Sequence, residues 1–288
     1  MSAVVVLKRA SRRVWLRHRS QGLGGTDVAA VLGLSPWRTP LQVWLDKTDP
    51  PDGITTAGYA ARRGLELEQF IAREYVRAHP GVVMERPPAL LAHPRLPWLR
   101  GSLDRIAHHP DRSVVVEIKT AGHRTLADWW DDTRRIPDHY AIQVLAYLWI
   151  TGLDEAHVVA DLAGEWAERI IHRDREWETA AEPILTEFWQ LVEQRTPPAP
   201  DWGRDTIADL NRAWVPDPGL TVEADADMVE LVELARLAGT DRARAAAAYE
   251  RTRVRLRHAM QHATQVTIHG QRAAHITTTG QLRVTNTK

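Results

Sequence analysis

Apolar positions recur along this chain with two periods. A period near 3.6 residues marks RRGLELEQFIAREYVRAH, where Leu67, Phe70, Ile71 and Tyr75 share a face and predict an amphipathic helix. Glu68 borders that face, and Glu66 points further from it. HYAIQVLAYLWITG is apolar on nearly every side, as a buried helix should be, with Gln143 as the polar exception in its middle. WETAAEPILTEFWQLVEQR predicts another long helix, and SPWRTPLQVWLDK a shorter one after Pro40, with Leu41, Trp44 and Leu45 at helical spacing. Before it, Gly24-Gly25 breaks the chain, and Thr26 or Asp27 is placed to cap a short helix through Ala29 to Leu32.

The second period is two. SVVVEIKT is a β-branched run that predicts a strand, with Val115, Glu117 and Lys119 on one face and Val114, Val116 and Ile118 on the other. LRGSLDRIAH predicts a second strand, and HHPDRS between the two is rich in turn formers. A hairpin centred on Pro110-Asp111 sets Asp104 opposite Glu117 in antiparallel register. Two strand-like stretches precede this hairpin, and HVVADLA and ERIIHRD read as strands after it. DPPDGITTAG is a loop, and ADWWDDTRRIPDHY a loop with short helices. TPPAPDW, residues 196–202, reads as a linker where the composition shifts. It divides the chain into a domain over 1–195 and a C-terminal segment over 203–288. In that segment, 226–263 predicts a long helix interrupted near Gly239-Thr240, followed by short strands turning at His269-Gly270 and Thr279-Gly280.

The hairpin carries the chemistry. Asp104, Glu117 and Lys119 on adjacent strands bring two carboxylates and an ammonium to one patch of one sheet. Cleaving a phosphodiester needs such a set. Divalent metals held by carboxylate oxygens neutralise charge, lower the pKa of water and stabilise the leaving oxygen. Magnesium takes hard oxygen ligands and keeps several waters, so two carboxylates suffice. A neighbouring lysine orients the attacking water or stabilises charge growing on the phosphate. A Glu-x-Lys alone more often marks a solvated strand; the aspartate at the matching hairpin position is what separates this pattern from that one. Glu68, on the rim of its helix, is a further candidate for the metal site, although a carboxylate there is more often simply solvated. Gln143 needs hydrogen-bond partners in a buried helix, either within the core or from the active side of the sheet.

Composition narrows the class. With 288 residues and 44% hydrophobic content, the chain supports a sizeable core. No apolar run approaches the about 18 residues of a membrane span. The start, MSAVVVLKRASRRVW, does not read as a secretory signal, because its short apolar run precedes the basic residues. Zero cysteines exclude disulfides and Cys-ligated zinc or iron–sulfur clusters, and are compatible with the cytoplasm. Net charge is zero, yet its distribution is uneven: residues 1–26 and 251–288 hold 13 of the 37 Lys/Arg and none of the 37 Asp/Glu. Basic ends on an acidic body can meet a phosphate backbone locally, or serve as solvated arms. The 12 tryptophans are many for this length, and sequence does not sort core from base-stacking positions.

In combination these residues resemble the YqaJ-type viral recombinases, relatives of lambda exonuclease in the PD-(D/E)xK nuclease superfamily. The resemblance covers residues 14–195. Trp15, Arg19 and GLGGTD look like the family's opening block, and LSPWRTPLQVWLDK like the next. RRGLELEQF resembles its Gly-x-x-x-Glu helix, with Gly64 and Glu68 in place. LRGSLDR stands where the family has Ser-Pro-Asp-Gly, VVVEIKT is the Glu-x-Lys strand, and Tyr140 and Gln143 fill a Tyr-x-x-Gln helix. HRDREW and the Phe188-Trp189 helix complete the pattern. There are two departures. Leu103 and Arg105 flank the aspartate in place of Pro and Gly, which alters the local turn, and Thr26 replaces a serine while keeping its hydroxyl.

The resemblance implies an α/β (α+β) fold: a restriction-endonuclease-like core, its central mixed sheet flanked by helices, with a C-terminal helical and β-hairpin appendage. It implies a Mg²⁺-dependent exonuclease, with Mn²⁺ able to substitute, that digests the 5′ strand of linear duplex DNA and leaves a 3′ single strand. Asp104, Glu117 and the Ile118 carbonyl would hold metal, with Glu68 joining directly or through water. Lys119 would act on the attacking water or transition state, and Gln143 would position the nucleophile. Arg19 and Thr26 fall where such enzymes contact the 5′ phosphate, and Tyr140 is assigned to the DNA contact. The implied partners are duplex DNA ends, a single-strand annealing protein and further copies in a trimer, within the cytoplasm of a bacterial host and with no membrane. Two other readings stay open: an endonuclease of restriction or repair type, and a catalytically inactive DNA-binding relative.

Overall fold

The computed structural model describes residues 3–50, 58–122, 126, 129, 136–260, 262–269 and 271–285, with Ala60 and Ala61 described by backbone alone. The loop expected after residue 50, and most of the one expected between 123 and 135, lie outside them. The chain forms two units, Met1–Pro216 and Asp217–Lys288.

In order, the first unit holds β1 (Val4–Leu7), α1 (Arg12–Ser20), α2 (Gly25–Val31), α3 (Pro40–Thr48), α4 (Tyr59–Ala78), β2 (Val83–Glu85), β3 (Leu90–Ala92) and β4 (Arg100–Gly101). It continues with β5 (Arg105–His108), β6 (Ser113–Ala121), α5 (Asp138–Thr151), β7 (Glu155–Leu162), β8 (Glu165–His172), α6 (Arg175–Glu193) and α7 (Ile207–Ala213). Five strands make the central sheet, in the order β2-β5-β6-β7-β8. Only β6 and β7 run parallel. A parallel neighbour requires a crossover, and α5 supplies it. A smaller sheet, β1-β3-β4, lies beside it in sequence.

Alternation along β6 sorts the core. Val115 faces the larger cluster, with α2, α3, α5 and α6, whereas Val114, Val116 and Ile118 face a smaller one with Ile71 and Tyr75 of α4. The hairpin register is as expected: Arg105 pairs Val116 and His108 pairs Ser113, which projects Asp104 opposite Glu117. The strand expected over 99–108 is broken, however. β4 pairs with β3, and only β5 joins the central sheet, so Asp104 stands just before a strand. Ser102 occupies the break, accepting from Trp15 Nε1 at 2.9 Å and donating to the Ala89 carbonyl at 2.8 Å.

Other differences have local causes. Gly24, not Thr26 or Asp27, is the N-cap of α2. Asp27, in the first turn, reaches back instead to accept from the Gly24 amide at 2.9 Å. Phe70 lies on the rim of the α4 stripe, 46% exposed, while Ile71 and Tyr75 are buried. The first unit also runs past the boundary expected at 196–202. Arg204 donates to the Ser35 carbonyl at 2.9 Å, Gln42 to Asp209 at 3.3 Å and Arg212 to the Asp49 carbonyl at 3.1 Å, tying α7 to α3.

The second unit is α8 (Ala226–Met260) followed by β9 (Gln265–Ile268), β10 (Gln271–Ile276) and β11 (Leu282–Val284), in sheet order β11-β10-β9. Helix α8 continues through Gly239-Thr240 without the expected interruption. One glycine costs a helix only about 1 kcal/mol. Met260, Ala274 and Leu282 form the unit's small core.

Candidate active site

The acidic site forms where β6 meets α5. Glu117, 2% exposed, points from β6 towards that helix. Its Oε1 accepts from Lys119 Nζ at 2.6 Å and from Gln143 Nε2 at 2.7 Å. Gln143 Oε1 accepts from Lys119 at 3.0 Å, and Gln143 Nε2 also reaches Tyr147 Oη at 3.0 Å. Gln143 thus sits between glutamate and lysine with both ends of its amide used. Asp104 Oδ2 accepts from the Ile118 amide at 2.8 Å, which fastens the residue before β5 to the middle of β6. Lys119 Nζ lies 4.5 Å from the centroid of the Tyr140 ring.

Two properties of this cluster point outward. Glu117 Oε2 is buried and has no hydrogen-bond partner in the structure. Burial, and next the charge of Glu117, push the Asp104 carboxyl well above the usual carboxylate range; the Ile118 amide and Lys119 oppose this and lose. Burial alone would lower the Lys119 ammonium, but the adjacent Glu117 holds it above its ordinary value, so it stays charged. Burial and Glu117 also keep the Tyr147 phenol protonated. The cluster therefore has one carboxylate oxygen unfilled and too much negative charge for its burial. A divalent cation fits that deficit, and the donors are the hard oxygens that Mg²⁺ or Mn²⁺ takes.

Glu68 is not joined to this pair. Its Oε1 is held at 2.5 Å by Arg105, whose guanidinium also donates to the Asp104 carbonyl at 2.6 Å. Arg105 thus sits between Glu68 and the acidic pair. Glu68's charge on Asp104 still registers.

Arg19 and Thr26 meet at a second place, the start of α2, where Arg19 Nη2 donates to Thr26 Oγ1 at 3.1 Å. Asp27, completely buried, organises it. Arg38 approaches its Oδ1 at 2.7 Å, Lys47 its Oδ2 at 2.6 Å, and Arg19 lies 3.7 Å away. Burial opposes ionisation, yet Lys47, Arg19 and Arg38 hold the Asp27 carboxyl far below the usual range. The Arg19 guanidinium also lies 5.5 Å from the Trp15 ring centroid. The two places are linked through Gly25: a methyl there would meet Gln143 Cγ at 2.9 Å, the Gln143 carbonyl at 3.0 Å and Tyr147 Cε1 at 3.0 Å.

Sequence reasoning assigned no site role to Tyr147, Arg38 or Lys47, and read Asp27 only as a helix cap. Tyr147 was within reach, four residues after Gln143 on the same helix face. The other three come together only when α2 and α3 pack.

The site is thus carried by a mixed sheet flanked by helices, with Glu117 and Lys119 on β6 and Asp104 just before β5. Residues 14–154 match the model of the YqaJ-like viral recombinase domain. The YqaJ protein of Bacillus subtilis (strain 168) is 33% identical over 184 residues, which is 62% of this chain and 56% of that protein, so the chain spans about half the length of this relative. Among solved structures, an alkaline exonuclease from Laribacter hongkongensis superposes with a TM-score of 0.52 at 18% identity, covering 64% of this chain and 94% of that one. Its complex with dAMP also superposes at 0.52, with 19% identity. At those identities the likeness is one of fold.

Proposed function

We propose that this chain is a metal-dependent deoxyribonuclease, a 5′-to-3′ exonuclease on linear duplex DNA that leaves 3′ single strands for phage-type recombination. The observation that carries the reading is the unpartnered, buried Glu117 Oε2 beside an Asp104 whose carboxyl burial and the charge of Glu117 push well above the usual range. The match of residues 14–154 to the YqaJ-like viral recombinase domain supports it, as does a fold shared with an alkaline exonuclease. Asp104, Glu117 and the Ile118 carbonyl would hold Mg²⁺, or Mn²⁺ in its place; when bound, it neutralises phosphate charge and activates water for attack. Lys119, kept charged by Glu117, stabilises negative charge gathering on the phosphate. Gln143 fixes the spacing of Glu117 and Lys119 through its two amide atoms. Glu68 acts through Arg105 in the arrangement observed.

Arg19 and Thr26 would receive the 5′ phosphate, a task suited to a guanidinium and a hydroxyl beside a helix start. Tyr140, under Lys119, would border the DNA path. A single-strand annealing protein, a trimer of this chain and action in the cytoplasm of a bacterial host complete the reading. No described helix is long and apolar enough to cross a membrane.

The deciding experiment compares linear duplex with covalently closed circular DNA, with and without Mg²⁺. Mg²⁺-dependent loss of the linear form alone, with nucleotides released from the 5′ strand, is the expected result. Cutting of the circle would move the reading to an endonuclease, and binding without cutting to an inactive relative.

A further inference from the structure

The other face of the central sheet carries a second polar cluster that the nuclease reading does not use. His79 is the C-cap of α4, one turn after Tyr75, and its ring lies tilted against the tyrosine's at 4.2 Å, centroid to centroid. His157 projects from β7, opposite in direction to Val158, which lies in the larger core with α5. Glu168 pairs with Val159 across β7 and β8, so it is the diagonal neighbour of His157 on the same face.

Three donors from three elements converge there. Glu168 Oε1 lies 3.0 Å from His79 Nε2 and 2.9 Å from His157 Nδ1, and the three ligand atoms all lie within 4.8 Å of one another. His157 is 2% exposed, and its other nitrogen, Nε2, lies 2.8 Å from Glu155 Oε1. Arg112 holds that same oxygen from the far side at 3.1 Å. Tyr75 Oη stands 2.9 Å from His157 Nδ1 and 3.0 Å from His109 Nε2.

We propose that His79 Nε2, His157 Nδ1 and Glu168 Oε1 form a binding site for a divalent transition-metal ion of the Zn²⁺ class, separate from the acidic pair at Asp104 and Glu117. The chemistry is selective. Imidazole nitrogens suit zinc, cobalt and nickel, whereas Mg²⁺ prefers all-oxygen sites. A carboxylate on the remote nitrogen of a ligating histidine fixes its tautomer and raises its basicity, and Glu155 occupies that position on His157. Ligand atoms around tetrahedral zinc, with bonds of about 2.0–2.1 Å, sit roughly 3.3 Å apart. The contacts of 2.9 and 3.0 Å therefore need to open slightly, and the two imidazole nitrogens, within 4.8 Å of one another, to adjust to the same spacing. Tyr75 Oη would then keep its hydrogen bond to His109 Nε2 and release His157 Nδ1, and water would complete the coordination. The ion would tie the end of α4 to β7 and β8.

The test uses the full chain, stripped of metal, with Co²⁺ as the probe and excess Mg²⁺ present to fill the carboxylate site. One Co²⁺ per chain should bind and give the strong visible bands of tetrahedral, nitrogen-containing coordination, and Zn²⁺ should displace it and abolish them. The bands should persist in Asp104→Asn and weaken at least about tenfold in affinity in both His79→Ala and Glu168→Gln. His79 has 26% of its side chain exposed, so its truncation does not empty a sealed core; Glu168→Gln keeps the shape of the side chain. Circular dichroism confirms that each variant is folded. Strong bands absent from the wild type, surviving in both cluster variants, or lost in Asp104→Asn would overturn the proposal.

Discussion

Asp27 and Asp104 both sit in withdrawn positions of the same unit, and their surroundings drive them in opposite directions. Around Asp27 the protein supplies Lys47, Arg38 and Arg19, and the carboxyl is held far below its ordinary range. Around Asp104 it supplies a second carboxylate, one lysine and one backbone amide, and the carboxyl is driven up. The first arrangement is complete in its own charges. The second falls short of positive charge, and Glu117 Oε2 marks where the missing partner would go. Strongly perturbed groups of the second kind are the ones that mark functional sites, whereas a compensated carboxylate such as Asp27 is equally a structural device.

The comparison breaks most visibly if the acidic pair is not the reaction centre. Asp104→Ala and Lys119→Ala should each reduce cleavage of linear duplex by at least about 1000-fold while DNA binding persists. Full activity in either variant sinks the assignment. Next, Asp27→Ala should cost about 3–5 kcal/mol in urea unfolding, because it leaves Lys47, Arg38 and Arg19 uncompensated. A loss under about 1 kcal/mol would show that the cations do not depend on it. Arg19→Ala should slow digestion of 5′-phosphorylated DNA about 10- to 100-fold, the worth of one charge-assisted hydrogen bond. It should have little further effect on DNA lacking that phosphate. Equal slowing on both substrates would place the phosphate elsewhere.

The two aspartates also differ in how stability follows pH. Asp27, depressed in the folded state, contributes stability that is present above about pH 4 and lost as the pH falls. Asp104, raised in the folded state, does the reverse: without metal, stability declines as the pH rises from about 4 through its elevated folded value. Thermal melts against pH should show that decline, and both Mg²⁺ and Asp104→Asn should flatten it; a decline unchanged in Asp104→Asn rules out this origin. The smallest effect belongs to the basic end. Arg251→Ala with Arg255→Ala should lower the salt slope of DNA binding by about 1 for each phosphate left without its arginine. An unchanged slope removes those arginines from the interface.

The hairpin was legible because strand alternation and a centred turn are arithmetic: Asp104 opposite Glu117 follows from counting, and the pairing of Arg105 with Val116 bears it out. Gln143 was legible as a polar residue inside an apolar helix, and it lies between Glu117 and Lys119. Glu68 shows where counting stops. Its helix face was readable, but its capture by Arg105 depends on how α4 lies over the central sheet, which no local pattern encodes. The break at Ser102 was hidden for the same reason, since Trp15 and Ala89, both distant in sequence, hold it. The His79, His157 and Glu168 cluster likewise arises only when a helix end meets two strands in register. Composition predicted an interruption in α8, and the helix runs through it because a single glycine is a weak breaker.

Gly25 gives the proposed nuclease a mechanical property. With no side chain at that position, α2 beds directly on α5, so the helix start beside Thr26 and the amide of Gln143 belong to one stiff caliper. On the nuclease reading, one jaw grips a strand end and the other cuts it. The gap between the jaws is set by packed backbone rather than by the bases held. Each bite would then be the same length on any sequence, a stride fixed in the fold, and Gly25→Ala would change its measure.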